Sequence, residues 1–138
     1  MKLFDFINSL ESIQRRMTAL EEEKRMLTKP IIEDYGRLGE IYNLFENELT
    51  RKTDVKPNSI EGRRIFIFIA IRLCYPAVFA KGNIRFGLRN KMANVLNCEA
   101  SVISHDFKNL TFLYKKYKSF RNQVDKIYEG MLEQINDN

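Results

Sequence analysis

The chain is poor in the residues that punctuate loops and in those that assemble metal or redox sites. Six glycines and three prolines among 138 residues are too few for a loop-rich, all-β or low-complexity protein. One histidine, His105, and two cysteines, Cys74 and Cys98, leave no Cys-x-x-Cys spacing and no second histidine to complete a metal set. Both thiols sit singly among apolar residues and are expected to be buried and free. The longest apolar run, Ile65 to Ile71, has Arg63, Arg64 and Arg72 at its ends and is far too short for a membrane span. Met1-Lys2-Leu3-Phe4-Asp5 carries an acid where a secretory leader would be basic and then apolar. The expected location is cytoplasmic.

Catalytic machinery is equally scarce. The carboxylates of the second half are few and unpaired, no glycine-rich phosphate loop is present, and no nucleophile stands with a base and an orienting acid. Glu21-Glu22-Glu23 has the character of a solvated face. The sequence therefore reads as a non-enzyme, with no cofactor, no metal and no small-molecule substrate expected.

What the chain has in abundance is Leu, Ile, Lys, Arg and Glu, and it is 44% apolar and 30% charged. That composition lies outside the disordered class and favours an all-α fold. Charge is unevenly placed. Residues 1 to 54 hold 9 basic and 11 acidic side chains, a net of −2, whereas residues 55 to 138 hold 14 and 7, a net of +7. Between 63 and 121, 12 Lys or Arg residues are set against only Glu99 and Asp106. The asymmetry points to a polyanionic partner for the second half and a different task for the first.

Apolar periodicity organises the first half as helices. Leu3, Ile7, Leu10, Ile13, Met17, Leu20 and Leu27 recur at helical steps until Lys29-Pro30 interrupts them. A second helix carries Tyr35, Leu38, Tyr42, Phe45 and Leu49, spaced 3, 4, 3, 4 in the manner of a short coiled-coil seam. Such a stripe suits either an antiparallel pair within the chain or a seam with a second protomer. The expectation adopted is a homodimer through Tyr35, Leu38, Tyr42, Phe45 and Leu49, making residues 1–54 a coiled-coil-like self-association segment. The polar stretch from Thr50 to Asn58 is then a linker, and 59–138 a basic domain.

Within that domain Ile65 to Ile71 has strand-like composition. No second strand-like segment exists to satisfy a lone strand's backbone, and a helix from Ser59 towards Pro76 is expected. Three further helices follow Gly87. Their apolar faces are Leu88, Met92, Val95 and Leu96, then Ile103, Phe107, Leu110 and Tyr114, then Phe120, Val124, Ile127, Met131 and Ile135. Ser101 is a candidate cap for the middle one.

Residues 88 to 107 carry the functional signal. Ala93 is small where two helices would touch, and Asn97, four positions on, tolerates a left-handed turn. Cys98 and Ile103 supply apolar positions one and six residues after Asn97. This spacing resembles the prokaryotic, phage-type helix-turn-helix. One departure stands out: Asp106 occupies a position where an apolar residue belongs, and Phe107 supplies one a residue late. The wider region loosely resembles the DNA-binding domain of bacterial replication initiators and small regulators of phages and mobile elements.

The resemblance implies that the second motif helix lies in the major groove of duplex DNA. Its outward residues, Ser101, Ser104, His105, Lys108 and Asn109, would then face base edges. Arg85, Arg89 and Lys91 before the turn, and Lys115, Lys116, Lys118 and Arg121 after it, would meet phosphates. Tyr114 and Tyr117, which interleave with these lysines, suit the core better than a stack of unpaired bases. The expected function is a sequence-specific duplex DNA-binding protein, a transcriptional regulator. The alternative is a helical adaptor with a basic face that reads no sequence.

Overall fold

The Ile65–Ile71 run lies at the centre of the molecule, inside a helix that is buried nearly all round. In the computed structural model, which describes residues 1–136, it belongs to α3 (Ile60–Cys74), flanked in chain order by α1 (Leu3–Leu27), α2 (Leu38–Lys52), α4 (Phe86–Leu96), α5 (Ala100–Lys116) and α6 (Lys118–Asn136). Short 3-10 turns at Tyr35–Arg37 and Pro76–Phe79 complete it, and no strand occurs among the described residues. The all-α expectation holds, and so does the helical assignment of 65–71. β-Branched residues are poor helix formers in isolation, but burial on several sides overrides that preference. Ile65, Phe66, Ile67, Ile69, Ala70, Ile71 and Leu73 are fully buried.

Ser59 opens α3 by accepting the Gly62 amide at 3.0 Å while its own hydroxyl donates to the Lys56 carbonyl at 2.6 Å. Gly62 is needed there, because a β-carbon would collide with the Lys56 and Pro57 carbonyl oxygens. The polar stretch before α3 is thus pressed against the helix and does not act as a free linker.

α2 packs on α3, α4 and α6, and α3 in turn on α4, α5 and α6. Tyr42, Phe45 and Phe66 form an aromatic cluster between α2 and α3, with ring centroids 5.0 to 5.8 Å apart. One core therefore runs from Ile32 to Met131, across the boundary expected between residues 54 and 59. Of the 59–138 span, residues 137 and 138 lie outside the described residues.

This packing corrects the expected dimer seam. Leu38, Phe45 and Leu49 are fully buried within their own chain, and Tyr35 and Tyr42 pack beside them. The stripe faces α3, α4 and α6, and only the half-buried Tyr35 and Tyr42 reach the surface, too little for a seam with a second protomer. The antiparallel pairing with α1 does not form either, since no residue of α1 is buried. The chain after α1 is tied to the body where the Ile31 and Ile32 amides both donate to the Leu73 carbonyl at 2.9 Å. Met131 and Gly130 of α6 complete the contact with α2, where the buried Glu48 carboxylate lies over Gly130, bonded to Gln134 and paired with Arg51 at 2.6 Å and Lys52 at 2.8 Å.

Candidate nucleic-acid interface

α4 ends at Leu96, and Asn97 takes φ 54° and ψ 51°, the one positive φ at a non-glycine residue among those described. The Asn97 amide donates to the Asn94 carbonyl at 3.2 Å and the Cys98 amide to the Ala93 carbonyl at 3.0 Å. This is a Schellman closure, in which a left-handed residue lets the helix satisfy its last carbonyls and turn. Asparagine serves because its short polar side chain tolerates that region. Three residues later α5 begins. Its N-cap position is Glu99, with no side-chain cap bond. Ser101 does not cap it and stands exposed in the first turn. Ala93 and Ile103 are buried where α4 meets α5.

Asp106 is where the sequence reading fails most instructively. It points inward, 3% exposed, with Arg63 Nε 2.7 Å from one carboxylate oxygen and Arg64 Nε 3.6 Å from the other. The position expected to be apolar is thus an interior one, filled by a charge that α3 neutralises. Asp106 neither faces a groove nor repels a phosphate backbone. Arg63 is likewise withdrawn from the basic surface.

The outward side of α5 holds Ser101, His105, Lys108 and Asn109, all exposed. Ser104 differs: it is half-buried, and its hydroxyl accepts from Arg89 Nη1 at 3.3 Å. Arg89 thereby braces α4 against α5, and only part of its guanidinium remains for an outside partner. Arg85 stays exposed, its guanidinium carbon 4.3 Å from the centre of the Tyr75 ring. Lys91 on α4 and Arg121 on α6 are half-buried, whereas Lys115, Lys116 and Lys118 are exposed.

One residue of this surface escaped the sequence reading. Phe112, 56% exposed, stands one turn beyond Lys108 on the same line of α5, with the Lys116 ammonium 5.2 Å over its ring. Its four-residue step from Lys108 was the available signal. Tyr114, by contrast, is half-buried against the core. It stacks on Phe68 at 4.9 Å and its hydroxyl donates to Asp125 at 2.5 Å.

The two thiols are free, Cys74 buried and Cys98 half-buried. Burial pushes the Cys74 thiol up to about 11 and raises that of Cys98, so neither is a ready nucleophile. No helix among the described residues is long and apolar enough to cross a membrane. Comparison with protein-family models, with curated proteins and with solved structures returned no match for this chain.

Proposed function

We propose that the chain is a sequence-specific duplex DNA-binding protein of the transcriptional-regulator kind, in which α4, the Asn97 turn and α5 form a helix-turn-helix. The observation that carries this is the outward side of α5. Ser101, His105 and Lys108 stand exposed just after a left-handed turn, on a helix held from behind by buried Ile103, Asp106 and Leu110. Hydroxyl, imidazole and ammonium groups can meet base edges in the major groove, and the Phe112 ring suits a thymine methyl.

Lys115 and Lys116 lie about 10 to 12 Å beyond Lys108 along α5 at 1.5 Å per residue, and Lys118 opens α6 just after them, where flanking phosphates would pass. With Asp106 neutralised inside, Glu99 is the only acid left among the twelve cations of 63–121. The protein acts by binding, with no reaction, cofactor or metal assigned to it.

Selection of bound duplexes from a random pool tests the reading. An enriched motif supports it. Retention of all duplexes alike would favour the second reading, a helical adaptor for an acidic protein. Phe112 favours that alternative, since an exposed ring with the Lys116 ammonium over it also suits a protein surface.

A further inference from the structure

Every large apolar side chain of α1 is at least 44% exposed, although the helix runs for 25 residues. Most of a helix's stability in a protein comes from packing an apolar face, and α1 packs none of its own on the body. Its sequence supplies such a face at a strict seven-residue repeat. Leu3, Leu10, Met17 and Lys24 occupy one core position of the heptad, and Phe6, Ile13, Leu20 and Leu27 the other. The steps alternate three and four throughout, and the apolar repeat is sustained over the three to four heptads that mark a coiled coil. The opposite side is solvated, with Arg25 paired to Glu22 at 2.7 Å off the seam.

We propose that α1 is a parallel, two-stranded coiled coil with a second copy of this chain. Charge at the seam's edge selects both occupant and direction. In a parallel pair, Arg16 falls opposite Glu21 of the partner subunit, and twofold symmetry makes that pair twice. The antiparallel alignment that keeps the same core sets Arg16 against Arg16 of the partner subunit and leaves Glu21 beside an isoleucine. Lys24, the single polar core residue, lies near one end, where its ammonium reaches water and fixes register. An anionic membrane is a poor occupant, because α1 holds five acids against four bases and membrane-surface helices are basic.

The assembly stands whether or not the body reads DNA. It replaces the seam that α2 cannot provide.

Sedimentation equilibrium of the full chain without DNA tests it. A dimer at roughly tens of micromolar is expected, and Ile13→Asp should convert it to monomer. Because α1 contributes nothing to the core, the urea transition of the body should stay in place for that variant. Direction is tested by charge exchange. Arg16→Glu alone and Glu21→Arg alone should each weaken the dimer by roughly three- to tenfold, while an equimolar mixture of the two variants should form a heterodimer as tight as the parent. A parent that sediments as a monomer or as a higher oligomer overturns the proposal, and a mixture no tighter than its components overturns the parallel direction.

Discussion

Arg63 Nε lies 2.7 Å from Asp106 Oδ2, joining α3 to α5 across 43 residues of sequence. The carboxylate is 2% exposed and the guanidinium 26%, so the pair is desolvated mainly on the acidic side. Asp106→Ala would leave Arg63 and Arg64 without their counter-charge, and removing one partner of a buried pair costs about 3 kcal/mol or more. The half-wet arginine moderates this toward about 2 to 3 kcal/mol. Exchange of both charges for apolar groups, Arg63→Met with Asp106→Leu, should be much milder. Urea denaturation of the single and double variants measures both, and equal losses in the two would show that packing, not charge, sets the cost.

That pair also marks the limit of what the sequence made legible. Helix content, the left-handed Asn97, the buried Ala93 and Ile103, and the apolar faces of α4, α5 and α6 all follow from spacing, because local propensity and burial agree there. The Tyr35 to Leu49 stripe is equally visible, yet its partner is not: a 3,4 repeat of five residues fits a core as well as a seam. Non-local contacts decided its place. The same holds for Asp106, since a carboxylate at an interior position is intelligible only once Arg63 is known to lie beside it. Ser104 has the right periodicity for the surface and is tied down by Arg89, whose length alone lets it cross between helices.

The exposed lysines at the junction of α5 and α6 should act through phosphates. Replacement of Lys115, Lys116 and Lys118 by Ala should weaken binding to all duplexes alike. It should also flatten the dependence of log K on log salt by about 0.9 for each phosphate that is no longer neutralised. These side chains are exposed, so folding is unaffected. Arg89→Ala should behave differently, lowering stability as well as affinity, because it removes the bond to Ser104. Titrations at several salt concentrations check this, and an unchanged slope in the triple variant would mean that the basic surface meets something other than DNA.

Tyr114 gives the fold an alkaline limit. Its hydrogen bond to Asp125 holds the phenol protonated and pushes its pKa up to about 12, with burial and the Asp125 charge adding to the effect. An unfolded tyrosine titrates near 10. A group raised on folding contributes its full stabilisation below the unfolded value and loses it as pH rises through the folded one. Stability should therefore decline between about pH 10 and 12. Tyr114→Phe should flatten that decline and leave a residue of the same sign from Tyr42, which burial, and secondarily Glu46, also raises. Urea midpoints across this range provide the measurement, and an equally steep decline in the variant would remove Tyr114 as its source.

In the proposed helix-turn-helix reading, specificity would rest on fewer residues than affinity. Ser101, His105, Lys108 and Phe112 follow one another at steps of four, three and four, which keeps them within one narrow line on the side of α5 opposite Ile103 and Leu110. On a preferred duplex, His105→Ala with Lys108→Ala should cost on the order of 1 to 3 kcal/mol for each base edge that goes unread, and very little on random duplex. The thermal midpoint should barely move, because exposed helix positions contribute within about 0.5 kcal/mol. Ser104→Ala is the internal control. Its hydroxyl is engaged by Arg89, so that variant should shift the midpoint while leaving the ratio of specific to random binding intact. Competition between the two duplexes reads the ratio directly. If it is the same in the double variant as in the parent, α5 does not read sequence, and the basic face with Phe112 at its centre belongs to a protein partner instead.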